Sequence, residues 1–165
     1  MSDAKSQSQL KQMLEQLAKH WNITSEVVDN LIILPIPYKG DNYSVCFSVL
    51  DENFALMVLQ ASSNIADANN KKLLEILKRN SIINSALSVF FIHESDDNKT
   101  DELPLLYQAL FPYSQLPLSD CIQYVESYLE QYSDNMKRIE NVGPSTGRKS
   151  MKSTMDSKSM GGLKI

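Results

Sequence analysis

The spacing of apolar residues along the first 141 positions switches between a helical and a strand period. It begins with a helical repeat that predicts an amphipathic helix over residues 6–21, formed by Leu10, Met13, Leu14, Leu17 and Trp21. The β-rich segment Leu31–Tyr38 follows and contains Pro35 and Pro37. Because proline cannot donate to a strand ladder, we expect this strand to lie at a sheet edge or to end irregularly.

The next two segments predict a β-hairpin. Apolar residues alternate with small ones from Tyr43 to Val49, and a second strand runs from Phe54 to Ala61 after a tight polar turn at residues 51–53. A further turn is expected at Asp41-Asn42, directly after Gly40.

A second helix is predicted over residues 66–80, with four leucine and isoleucine residues on one face and Lys71, Lys72, Lys78 and Arg79 in water. The segment Leu87–Ile92 is apolar on nearly both sides, which indicates a central or an interface strand. Residues 103–111 form a further strand with Leu105, Tyr107, Ala109 and Phe111 on one face.

The last predicted helix carries an apolar stripe of Ile122, Val125, Leu129, Tyr132, Met136 and Ile139. Asp120 is the expected N-cap, with Gln123 completing a capping box. We interpret the stripe as packing on the sheet of the same chain, with another helix as the alternative.

This order predicts an α+β fold over residues 1–141, a two-layer α-β-β-β-α-β-β-α domain with a mainly antiparallel sheet. Residues 142–165 form a Lys/Ser/Met/Gly tail without aromatic residues or an apolar period, which is typical of disorder. The tail carries five basic residues against Asp156, a net charge of +4. Since the whole chain carries −4, the body carries −8.

Charge and composition exclude several classes of function. An acidic body repels phosphates, so we expect no nucleic-acid partner. The longest apolar run, Leu31–Ile36, is too short to span a bilayer, and the polar N-terminus shows no signal peptide. Two cysteines are too few for a disulfide framework. We therefore expect a cytoplasmic protein without membrane insertion.

Candidate catalytic chemistry is sparse. Cys121 is placed in the first turn of the last helix, where the helix dipole lowers thiol pKa values, but a small semi-buried residue is the simpler interpretation. Cys46 carries no motif, His20 is interpreted as a solvated or capping histidine at a helix end, and His93 is interpreted as structural. The acidic residues 96–102 lack the spacing of a calcium loop, and residues 145–149 are not a Walker loop. We expect no enzymatic activity, no metal and no cofactor.

Apolar surface exceeds what a small core needs, notably in Leu31–Tyr38 and Leu87–Ile92. An apolar edge strand favours either a dimer partner or a captured peptide strand, while a core strand covered by helices is the alternative. The element order, the opening helix from Leu10, the hairpin described above and the closing segment 116–129 resemble the class I type III secretion chaperones (the Tir-chaperone family). The YbjN-like family of small regulatory proteins has a similar order and is the second resemblance.

The chaperone resemblance implies a homodimer that keeps the N-terminal segment of an effector or another client extended and competent for export, without ATP or cofactor. Carried over by position, the client-binding residues would be Leu14, Leu17, Leu34, Ile36, Phe47 and Leu56. The dimer interface would contain Leu74, Leu77, Val89 and Phe91. Binding would use added-strand hydrogen bonds and side-chain pockets, so truncating one pocket residue would cost about 1–3 kcal/mol. The YbjN-like alternative implies a regulatory or adaptor protein without an exported client.

Overall fold

In the part of the chain that the structure describes, six antiparallel strands form one sheet in the order β1-β2-β3-β4-β6-β5, and the helices pack against one side of it. The computed structural model describes residues 2–62, 64–80, 88–93 and 103–142. Its elements are α1 (Ser2–Trp21), β1 (Glu26–Val28), β2 (Leu31–Tyr38), β3 (Asp41–Val49), β4 (Ala55–Ser62), α2 (Asn70–Arg79), β5 (Ser88–Ile92), β6 (Leu105–Phe111) and α3 (Leu118–Glu140). The predicted α+β class is confirmed. Apart from Val142, the predicted tail lies outside the described residues.

One strand was missed. β1 is three residues long and pairs with the start of β2, Leu31–Ile33, across a turn that contains Asp29 at φ 54°. Such a short strand has no alternating pattern of its own and exists only through its pairing. The expected order therefore gains a strand before β2. Beyond Ile33, the proline-bearing part of β2 lies at the sheet edge, as predicted.

The β2–β3 turn lies two residues earlier than predicted. Its two central residues are Lys39 at φ 49° and Gly40 at φ 90°, while Asp41 already pairs with Tyr38. Two consecutive positive φ angles match the right-handed twist of the flanking strands, and glycine adopts such an angle without strain. The polar β3–β4 turn is confirmed: the Asp51 side chain accepts hydrogen bonds from the backbone N–H groups of Asn53 and Phe54 at 2.7 and 2.8 Å.

The covered side of the sheet holds the hydrophobic core. Leu10, Leu14 and Leu17 of α1 are buried together with alternate residues of β2 to β6. α1 ends at Trp21, which packs against this core, and Asn22 follows with φ 54°. The predicted face of β6 is confirmed, since Leu105, Tyr107, Ala109 and Phe111 are all buried.

α3 packs on its own sheet, as predicted, through tyrosines. The Tyr128 ring stacks on Tyr107 at 5.1 Å between centroids, and its hydroxyl donates to the Tyr107 carbonyl at 2.7 Å. Tyr132 makes an edge contact with Tyr43 at 5.7 Å. The predicted Asp120 cap is wrong: α3 begins at Leu118 with Pro117 as the N-cap, and no side chain caps it. Proline favours the extended conformation that an N-cap adopts, so the helix begins before Asp120.

One further expectation is narrowed and another is corrected. The described part of Leu87–Ile92 is β5, which pairs with β6 and is the last strand of the sheet among the described residues, so the central alternative is excluded and the interface alternative stays a prediction. Lys72 and Arg79 do not simply face water, since both are partly buried. Arg79 forms an ion pair with Glu75 at 3.1 Å.

Candidate functional site

The uncovered side of the sheet, which we call the open face, is built from residues without charge. Strand register places alternate residues of β2 to β6 on this side, opposite the core, and all of them are partly or fully exposed. They are Leu31, Ile33, Pro35, Pro37, Asn42, Ser44, Cys46, Ser48, Leu56, Val58, Gln60, Val89, Phe91, Leu106, Gln108 and Leu110.

None of these residues is charged, in a chain that is 22% charged overall. The exposed positions of a solvated sheet usually include charged side chains. Glu26 of β1, opposite Ile33, contributes a carboxylate at the margin. A partner can therefore cover the centre of the open face without removing a charge from water, which is the largest cost of burying a polar surface.

Register also brings the apolar residues of this face together. Ile33 pairs with Cys46 and Cys46 with Val58, while Leu56 pairs with Leu110 and Leu106 with Phe91. Burial raises the pKa of the Cys46 thiol, so this side chain is a neutral member of the row. The open face is thus a continuous surface of aliphatic, hydroxyl and amide groups.

A second apolar surface, the α2–β5 patch, lies where α2 meets the last strand. Its exposed side chains are those of Leu73, Leu74, Leu77 and Ile92, with Leu77 exposed by 65%, and that of Val89 on the opposite side of the same edge strand. α2 buries one residue, Ile76, and directs three leucines outward. Its N-terminus is capped by Asn69, whose side chain accepts from the Lys72 N–H at 2.8 Å.

α2 forms here because its first turn is capped and its apolar residues have helical spacing, but most of this apolar face has no partner within the described chain. Val89 and Phe91, two of the four residues expected at a dimer interface, lie beside it on β5 and also belong to the open face. The structure thus places Leu74, Leu77, Val89 and Phe91 at accessible or partly accessible positions on neighbouring elements.

The residues expected to bind a client fall into two groups. Leu14, Leu17, Leu34, Ile36 and Phe47 have 0–1% exposure and form the core between α1 and the sheet. Leu56 faces the other way and lies on the open face. The structure therefore does not bring the six together as one surface.

A small groove lies beside the buried group. Residues of α1, the β1–β2 hairpin and β3 line a space of about 130 Å³, including Val27, Ile32 and Val49. It is a shallow opening with Lys11 and Asp29 at its margin, and it is small beside the open face.

Cys121, the main residue considered for catalysis, is buried and its thiol is not activated. The Cys121 side chain is fully buried and its thiol donates to the Leu116 carbonyl at 3.7 Å. Burial, with a smaller contribution from the Asp120 carboxylate, raises the pKa of Cys121 to about 11. Desolvation thus outweighs the effect of the helix dipole on this thiol, in line with the simpler interpretation of Cys121 as a small buried residue. His20 and His93 are exposed and lie in separate parts of the fold.

Among the described residues, no group of His, Cys, Asp and Glu side chains is placed to hold a metal ion. The acidic residues 96–102 and the segment 145–149 lie outside them. No helix within the described ranges has the length and hydropathy needed to cross a bilayer.

The open face could have been found from the sequence. The alternate positions of Tyr43–Val49 are Ser44, Cys46 and Ser48, which are polar but uncharged, and the same holds for Gln60 and Gln108. Polar residues without charge at successive outer positions of neighbouring strands distinguish this face from a solvated one. That absence was the available signal.

Of three comparisons with known proteins, the one with solved structures gives a match. No protein-family model matches the sequence, and no curated protein matches it. Among solved structures, the chain is similar to the Yersinia pestis type III secretion chaperone SycH, determined in complex with a stable fragment of YscM2. The TM-score is 0.47 at 15% identity, over 74% of this chain and 96% of that chain.

Proposed function

We propose that this chain is a non-enzymatic binding protein of the secretion-chaperone type, which holds a segment of a client protein and keeps it competent for export. The observation that carries the proposal is the open face, a partly apolar sheet surface without charge. Its composition suits a function that consists of covering and releasing another polypeptide. The sequence resemblance to class I secretion chaperones favours the same function.

The client segment lies on the open face in this proposal, around Leu56, Val58 and Leu106. Apolar side chains of the client gain burial against these residues, at about 25 cal/mol for each Å² removed from water. Ser44, Ser48 and the glutamines supply hydrogen-bonding groups for the client backbone. The five buried client residues predicted from the resemblance then support this surface from beneath as core.

The proposed dimer forms through the α2–β5 patch. Leu74, Leu77 and Val89 are exposed by 53%, 65% and 41%, and large apolar residues at these levels favour an interface when they lie together. A second copy would cover them with the same residues, as expected for an isologous contact. In this arrangement the part of each open face away from Val89, around Leu56 and Val58, stays available to clients.

Purification of the full-length protein from its native cell tests the client proposal. We expect a stoichiometric client whose N-terminal segment is protected from protease. The variant Val58→Lys, which adds a charge to the open face, should lose the client. Gln131→Lys adds the same charge at an exposed position of α3 and should retain it.

Circular dichroism and thermal unfolding check that both variants fold. Retention of the client by folded Val58→Lys would place binding elsewhere on the protein. A wild-type protein that never carries a client would contradict the chaperone function and favour the YbjN-like regulatory alternative.

Sedimentation equilibrium tests the dimer. We expect the wild type to be dimeric and Leu74→Ser to dissociate at higher concentration than the wild type. Leu50→Ser is the matched control, because Leu50 in the β3–β4 connection is equally exposed, at 53%, but lies outside the patch. A monomeric wild type, or equal effects of both variants, would refute this interface.

A further inference from the structure

The outer edge of β5 is available for pairing unless something covers it. β5 is the last strand in the sheet order, and antiparallel strands direct the backbone groups of alternate residues to opposite sides. The His93 N–H donates to the Pro104 carbonyl at 3.2 Å, on the β6 side. By alternation, Val89 and Phe91 bond to β6, while the backbones of Ser88, Phe90 and Ile92 face outward.

The side chain of Asn80 covers the middle of this edge. The Phe90 N–H donates to the Asn80 Oδ1 at 2.7 Å, and the Asn80 Nδ2 donates to the Phe90 carbonyl at 2.8 Å. One carboxamide thus satisfies both backbone groups of the central outward residue, as a neighbouring strand would. The Asn80 backbone N–H donates to the carbonyls of Ile76 and Leu77, both at 3.2 Å, and so forms the last hydrogen bonds of α2.

The opposite edge of the sheet is closed by different chemistry. β1 covers β2 only at Leu31–Ile33, so the rest of β2 is the edge. Pro35 and Pro37 occupy the positions of β2 whose backbone groups point away from β3. A residue that bonds to β3 must supply an N–H group, and proline has none. Exposed strand edges are sites of uncontrolled pairing, and proline is one of the ways in which proteins protect them.

We infer that the Asn80 side chain blocks the outer edge of β5, and that it thereby prevents the β5 strands of two copies from pairing with each other. It fixes the end of α2 against the strand at the same time, so a strand can add at β5 only after Asn80 leaves Phe90. Partners therefore bind to this protein through side chains on its faces rather than by extending its sheet. The inference is independent of the proposed client.

Hydrogen exchange at the Phe90 amide and sedimentation velocity over a range of concentrations test this inference on the full chain. In Asn80→Ala we expect the Phe90 amide to exchange about tenfold faster than in the wild type. We also expect a new species with twice the mass of the wild-type assembly. Asn80→Asp retains an acceptor for the Phe90 N–H but loses the donor, so it should form less of this species.

Asn69→Ala is the matched control, because it removes the cap at the other end of α2 and leaves Asn80 in place. It should not create the new species. Adding Ile92→Pro to Asn80→Ala removes an outward N–H and should abolish the new species, which a general loss of stability would not explain.

Two results would overturn the inference. One is a Phe90 amide that exchanges as fast in the wild type as in Asn80→Ala and Asn80→Asp. The other is an unchanged sedimentation profile of both Asn80 variants at every concentration.

Discussion

The two faces of the sheet are made by the same strands and yet differ in what they are built to contact. The covered face carries large side chains such as Phe47, Tyr107 and Phe111, all with 0% exposure, and α1 and α3 pack on it. The open face carries small polar and medium apolar residues with no charge in β2 to β6. The covered face is buried by helices of the same chain, and the open face has the composition of a surface that a partner can cover.

The comparison shows that alternation alone does not separate a solvated face from a binding face. Both would give the same period of two along a strand. The difference lies in which polar residues occupy the outer positions, since lysine and glutamate favour water while serine, cysteine and glutamine tolerate coverage.

Truncation of matched residues on the two faces should give the largest difference. Phe47→Ala removes a ring that is buried against Phe111 at 5.4 Å between centroids, so we expect the free energy of unfolding to fall by about 3–5 kcal/mol. Leu56→Ala, on the adjacent strand of the open face, should cost about 1 kcal/mol. Urea unfolding of both variants measures the difference, and equal costs would mean that the open face is also a core.

Alkaline pH should weaken the covered side of the fold. Burial, together with Asp120, raises the pKa of Cys121 to about 11, and burial, with Tyr43 and Glu140, raises that of Tyr132 to about 12. Both groups are neutral acids in the fold, and their ordinary pKa values are 9.0 and 10.0. Their contribution to stability is complete below pH 9 and is lost as the pH rises toward 11 and 12.

The contribution of Cys121 alone is of the order of 2 kcal/mol, from a difference of about two pKa units. Denaturant unfolding of the wild type and of Cys121→Ala at pH 8, 9, 10 and 11 measures it. The variant should show a smaller decrease between pH 9 and 11. Parallel curves would show that this thiol titrates equally in the folded and unfolded states.

Removal of one hydroxyl should have the smallest effect. Tyr128→Phe leaves the buried Tyr107 carbonyl without its 2.7 Å partner, at an expected cost of about 1–2 kcal/mol. Tyr124→Phe removes a similar bond, to the Leu110 carbonyl, at a more accessible position where water can replace it, and should cost less. Thermal unfolding ranks the two. The reverse order would show that the Tyr124 bond contributes more to the attachment of α3 than the Tyr128 bond does.

Much of the fold followed from the sequence because its elements carry strong patterns. The β3–β4 hairpin, the buried face of β6 and the stripe of α3 each have several residues in one period. β1 could not be predicted in this way, since Glu26–Val28 is stable only as a neighbour of β2. The sequence did not decide between a central and an interface position for β5, because an apolar strand at an uncharged surface has the same composition as a central strand.

The candidate site was predicted less well. Positions carried over from a family resemblance do not specify on which side of a sheet a side chain lies, and five of the six expected client residues point into the core. Leu74 and Leu77 were carried over in the same way as dimer residues, and both side chains are exposed on α2. The role of Asn80 depends on two hydrogen bonds across ten positions, and no local pattern encodes them.

The separation of tryptophan from the tyrosine layer has an optical consequence. The chain has one tryptophan, Trp21, at the end of α1 beside His20, whereas Tyr107, Tyr128 and Tyr132 join α3 to the sheet. Tryptophan emission therefore reports the attachment of α1, and near-ultraviolet dichroism of the tyrosines reports that of α3. The two helices of the covered face can be followed independently in a protein without any added label.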